Sequence, residues 1–142
     1  MDIPVEILAE NGIKRGVILH SNIFDDIDHG KFFVVVGVTK DYIAGYFFIN
    51  SNIHKYIQSK PEQLDMQYIM KHSDYDFLRY DSFLSAVKVN EISCERLAIS
   101  MLKGITRIVG QIKKEHLDDL LEKARSSKLF SKKIKERYFY EE

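Results

Sequence analysis

The stretch Lys31-Phe32-Phe33-Val34-Val35-Val36-Gly37-Val38 decides how the rest of the chain reads. It is aromatic or β-branched at consecutive positions, so a strand here carries apolar side chains on both faces and must be covered on both. Phe32 to Val36 is also the longest apolar run, far short of the ~18 residues of a membrane helix. Downstream, Asp41 to Gly45 carries turn residues and Tyr46 to Ile49 is again apolar. Lys31–Val38 and Tyr46–Ile49 therefore read as an antiparallel hairpin. Upstream, Gly16 to Leu19 opens another strand, and Ser21 to Gly30 (SNIFDDIDHG) is a polar loop.

Beyond the hairpin the signals are shorter. Asn50 to Lys60 reads as a short helix or an irregular loop. Ser59-Lys60-Pro61-Glu62 has the form of a capping box with Pro in the first turn. Gln67 to Lys71 is a short strand and His72 to Asp76 a turn. Phe77 to Val89 alternates as one or two strands with a bend.

The last third changes period. Ser93 is placed to cap a helix over Glu95–Lys103, with Leu97 and Met101 four apart and Gly104 as its stop. Ile105 to Val109 is a strand. From Lys114 to Ser126, Leu117, Leu120, Leu121 and Ala124 recur at i, i+3, i+4 and i+7, the pattern of a helix with one core face. Phe130, Ile134 and Tyr138 are four apart, which predicts a terminal helix docked by that stripe. The expected fold is one α+β domain, mainly β: a strongly curved antiparallel sheet or small barrel, with helices late in the chain.

Composition narrows the function. The chain has 142 residues, 21 Lys and Arg against 21 Asp and Glu, and no formal net charge. It is 45% hydrophobic and 30% charged, which excludes a disordered tail. Zero net charge argues against binding nucleic acid by bulk electrostatics, so any such contact must come from a local patch. A single cysteine, Cys94, excludes an internal disulfide and a CxxC zinc site. The N-terminus, MDIPVEILAENGIKRG, has acidic residues where a signal peptide needs basic ones, so a soluble cytoplasmic protein without membrane contact is expected.

One short stretch stands out chemically, Phe77-Leu78-Arg79-Tyr80-Asp81-Ser82-Phe83. On a strand, Arg79 and Asp81 would project from one face about 7 Å apart. A carboxylate there can remove a proton from a ribose 2′-hydroxyl, and a guanidinium can neutralise charge on phosphate oxygens. The competing reading is a solvated ion-pair face. His20, His29, His54, His72 and His116 show no metal-ligand spacing. His29, beside Gly30 and Lys31 in the polar loop, is placed to approach a phosphate or else is simply solvated. Asp25, Asp26 and Asp28 lack the EF-hand pattern and read as a solvated loop. Cys94 reads as a buried structural thiol. Arg125, Lys128, Lys132, Lys133, Lys135 and Arg137 make the one local basic patch, read as a solvated helix face in preference to a phosphate contact. No P-loop, GxGxxG or GxSxG motif is present.

Taken in order, these segments resemble the PemK, Kid and MazF family, the small endoribonucleases of bacterial toxin–antitoxin systems. The resemblance runs from about Lys14 to Leu121. Lys14-Arg15-Gly16-Val17-Ile18 is similar to the family's opening Arg-Gly strand. His29 to Val36 resembles its loop and the Gly-x-Arg-Pro-Val strand. Phe47 to Ser51 falls where a strand ends in Thr-Ser. Arg79-Tyr80-Asp81-Ser82 resembles the Kid-type Arg-Cys-Asp-Gln, and Ile108 to Ile112 precedes the last helix as Val-Leu-Gly-Arg-Leu does.

The resemblance implies an SH3-like barrel over about residues 14–126, with 127–142 as a basic extension. It implies a homodimer that cuts single-stranded RNA across the inter-subunit groove without metal or cofactor, held in check by an antitoxin protein. It makes Asp81 the general base, Arg79 the acid or phosphate stabiliser, and His29 a group holding transition-state charge. Lys31, Asn50 and Ser51 would touch the RNA. The chain departs from the pattern where Lys31-Phe32 stands for Arg-Pro, where Asn50 stands for threonine, in the longer Asn52–Asp76 stretch, and in the tail. Asn50 and the lost Arg-Pro support a second expectation, a non-catalytic barrel that binds protein or nucleic acid.

Overall fold

Lys31–Val38 is strand β2 over its whole length, paired antiparallel with β3 (Ile43–Asn50), Val34 opposite Phe47 and Phe33 opposite Phe48. The computed structural model describes residues 12–24, 30–53 and 55–140. The remaining strands are β1 (Val17–Ser21), β4 (Gln67–Met70), β5 (Ser82–Ser85), β6 (Asn90–Ser93) and β7 (Thr106–Gln111). The helices are α1 (Lys55–Gln58), α2 (Pro61–Leu64), α3 (Cys94–Leu102), α4 (Lys114–Ser126) and α5 (Lys132–Tyr138). No helix among the described residues is long and apolar enough to cross a membrane.

All pairings are antiparallel, and the sheet runs β4-β5-β3-β2-β1-β7 with β6 also on β3. One edge of β3 is shared: Ile43–Tyr46 pair with β6, Ile49 and Asn50 with β5. A turn after β5 thus breaks what would be one strand into two. The α+β class and the antiparallel sheet are as expected, but the sheet is not closed into a barrel. β4 and β5 have four residues each, and β5 reaches β3 through two residue pairs. That ladder is too short to carry the sheet round to β7.

Alternation builds two cores. Val34, Val36, Phe47 and Ile49 face one side, where Leu120, Leu121 and Ala124 of α4 cover them together with Phe130, Tyr138 and Phe139. Phe33, Val35, Ala44 and Tyr46 face the other, under Cys94, Leu97 and Ala98 of α3. Every side chain from Phe33 to Val36 is fully buried, each contributing about 1.5–3 kcal/mol.

The expected caps hold in one case and fail in another. Ser93 Oγ accepts the Arg96 N–H at 3.1 Å and starts α3. Ser59, by contrast, does not cap α2. Pro61 takes the first helical position and holds Lys60 extended before it, so Lys60 is the cap residue. Ser59 Oγ donates instead to the Tyr56 carbonyl at 3.0 Å.

The strand expected from Phe77 begins only at Ser82. Local hydrogen bonds hold the preceding residues in turns: the Leu78 N–H donates to the Tyr75 carbonyl, Ser82 Oγ to the Tyr80 carbonyl, and the His72 N–H to Asp81. Side chains of this kind compete with a β ladder for the backbone.

Candidate functional site

The site begins as a row of residues across the sheet. His20 of β1 lies opposite Phe32 of β2 on one side and opposite Arg107 of β7 on the other, and Phe32 lies opposite Ile49 of β3. Residues directly opposite in neighbouring strands share a face, so Arg107, His20, Phe32 and Ile49 form one line of side chains. The turn Phe77–Tyr80 folds over the end of this row, with the Phe77 ring 5.2 Å from that of Phe32. Between row and turn lies a cleft of about 770 Å³.

Its lining is cationic. Lys31, Arg79 and Arg107 reach it with the His20 imidazole, and among the described residues no carboxylate lines it. Ser51 and Ser82 add hydroxyls, and Phe32, Phe77 and the exposed Tyr80 add rings. The His20 ring meets Phe32 edge-on at 4.8 Å. Gly30 has φ +73°, and a Cβ there would lie 2.7 Å from His20 Cε1 and 2.6 Å from Asn22 Oδ1. Only glycine lets the chain enter β2 this close to the imidazole. Lys31 Nζ donates to Asn50 Oδ1 and lies 5.2 Å from the centre of the Phe48 ring. Burial pushes its ammonium pKa below the ordinary value.

Of the residues singled out in the sequence, Lys31, Ser51 and Arg79 line the cleft. Asn50 lines an adjoining hollow that also includes Lys31 and Ser51. Asp81 is not among the lining residues of either. Its Oδ1 accepts the His72 N–H at 2.8 Å, in a turn and not on a strand face. His29 lies outside the described residues, although Gly30 beside it lines the cleft. Sequence reading missed His20 and Arg107. Neither stands in a motif, and only the register of β1 against its two neighbours joins them.

Such a cleft can hold a polyanion: guanidinium groups fork onto phosphate oxygens, a lysine adds a point charge, and exposed rings stack on bases. The His20 imidazole adds ring nitrogens that can donate or accept a proton. Among the described residues, no three His, Cys, Asp or Glu side chains gather in a way that would hold a metal ion. Two cations of the basic tail are tied into the fold, while Lys128, Lys132 and Lys133 are exposed. Arg125 donates to the Phe139 carbonyl at 2.8 Å, and Arg137 pairs with Glu91 at 3.0 Å. Cys94 is buried, and burial pushes its thiol up to about 11.

The chain matches no protein-family model, and it has no match among curated proteins.

Proposed function

We propose that the protein binds single-stranded RNA in this cleft and cuts it without metal, by attack of a 2′-hydroxyl on the adjacent phosphorus. The observation that carries the reading is the convergence of Lys31, Arg79, Arg107 and His20 on one cleft. In the step proposed, the 2′-oxygen forms a bond to phosphorus as its proton passes to a base. The bond to the 5′-oxygen breaks, and that oxygen takes a proton. The products are a 2′,3′-cyclic phosphate and a 5′-hydroxyl. Arg79, Arg107 and Lys31 would stabilise charge building on the phosphate oxygens. His20 is the lining residue suited to the proton transfer, the role that the family resemblance gives to Asp81.

With this reading goes the finer architecture of the PemK, Kid and MazF toxins, an SH3-like sheet here left open between β4 and β7. With it also go a homodimer, a cytoplasmic site of action and an antitoxin that covers the cleft. Purified protein incubated with mixed-sequence single-stranded RNA and EDTA should yield fragments with 2′,3′-cyclic phosphate ends. Intact RNA after incubation with folded protein would sink the proposal.

A second reading has its own support. The Asp81 carboxylate is engaged with the His72 N–H and is not among the residues lining the cleft. A barrel relative that binds RNA without cutting it fits that placement. It predicts retention of uncut RNA on the protein, weakened when Arg107 is replaced.

A further inference from the structure

A hollow of about 320 Å³ adjoins the cleft and shares Lys31 and Ser51 with it. The rest of its lining is Asn50, Asn52, Ile57 and Gln67. Three of these residues are amides. An amide sets a donor beside an acceptor, and base edges present the complement of that pattern.

Two of the amides have their orientation fixed by partners of a single capability. Lys31 Nζ donates to Asn50. An ammonium has no acceptor, so the Asn50 oxygen must face it and the NH₂ group is left to the hollow. Gln67 Nε2 lies 3.4 Å from the Gln63 carbonyl oxygen and 3.1 Å from Ser85 Oγ. A carbonyl only accepts, so the Gln67 NH₂ faces it and Oε1 is the atom left over. The hollow thus offers a donor from the end of β3 and an acceptor from the start of β4, with Ile57 of α1 as an apolar surface. Lys31 stands between it and the cationic cleft.

We propose that this hollow is the base-reading subsite of the cleft. The base of one nucleotide enters it, Asn50 donates to an acceptor on the base edge, Gln67 accepts from a neighbouring donor, and the adjoining phosphate lies against Lys31. The inference rests on the RNA reading of the cleft and deepens it. It assigns base selection to β4 and to the segment carrying α1, where the chain is longer than the toxins it resembles.

The test uses full-length protein and 2′-fluoro strands of about ten nucleotides, which lack the attacking hydroxyl. Affinities are measured for A, C and U homopolymers. Wild type should prefer one of the three by about tenfold. Gln67→Met and Asn50→Ala should each narrow that spread to about threefold or less. Arg107→Ala should weaken all three alike and keep the spread. A spread unchanged in both amide variants, or absent from wild type that binds all three, overturns the subsite while leaving the RNA reading intact. Wild type that binds no strand overturns both. Should Asn50→Ala unfold, Gln67→Met, with its fold checked by thermal melting, decides alone.

Discussion

Tyr138 and Gly45 meet ring against backbone: a Cβ on Gly45 would lie 2.6 Å from Tyr138 Cε1. The ring is fully buried and is held at its far end by a hydrogen bond from its hydroxyl to Glu91. Gly37, paired with Gly45 across the β2–β3 ladder, clears space on the same side, where a Cβ would lie 3.2 Å from the Tyr138 carbonyl oxygen. Arg15 completes the joint, donating from Nε to the Val36 carbonyl and from Nη2 to the Tyr138 carbonyl, both at 2.8 Å. Gly45→Ala should therefore force a buried ring out of place and cost about 1–3 kcal/mol. Urea unfolding of the variant checks this, and an unchanged midpoint would show that the tail does not depend on the glycine.

The Tyr138 hydroxyl, and then the Arg137 guanidinium, hold the Glu91 carboxyl below its usual range, against the opposing effect of burial. A carboxyl lowered in the folded state adds stability that is fully present above its unfolded pKa, ~4.3 for glutamate, and is lost as pH falls through the folded value. Wild type should accordingly exceed Glu91→Gln in stability at pH 7, with the gap closing as the solution is acidified below that range. Urea midpoints of both proteins at several pH values measure the gap. A gap that stays constant with pH would remove Glu91 from the acid response. The carboxylate is partly exposed, so the effect should be modest and should shrink in salt.

Cys94 opens α3 and is fully buried, with its thiol pushed up to about 11. The thiolate is the reactive species, so a thiol reagent at pH 8 should label the native protein about a hundredfold or more slowly than the unfolded chain. Fast labelling of native protein would mean that α3 opens readily from the second core.

These features differ in how far the sequence carried them. The apolar run of β2 and the i, i+3, i+4, i+7 pattern of α4 are local, and burial then fixes both elements where the pattern sets them. The Phe77–Asp81 turn is also local, yet its sequence reads as strand. Its residues alternate well enough, but His72, Ser82 and Asp81 supply hydrogen bonds that outcompete the ladder. The cleft was half legible: Lys31, Ser51 and Arg79 stand in recognisable segments. His20 and Arg107 become neighbours only through the β1–β7 register, and that register is shifted by an irregularity between Ile18 and Leu19 that no residue pattern announces.

That register makes the sharpest prediction about catalysis. His20 stands in the row that floors the cleft and lines it, and Asp81, whose Oδ1 accepts the His72 N–H of a turn, does not. If His20 transfers the proton, His20→Asn should lower RNA cleavage by about 10²–10⁴-fold with the fold intact. Asp81→Asn keeps an oxygen for the His72 N–H, so it should preserve the turn and cost less than about tenfold. Single-turnover cleavage of one RNA by wild type and both variants separates the assignments. The reverse order, with Asp81→Asn inactive and His20→Asn active, would return the proton transfer to the carboxylate. It would further require the Phe77–Asp81 turn to rearrange when RNA binds, because Asp81 does not line the cleft.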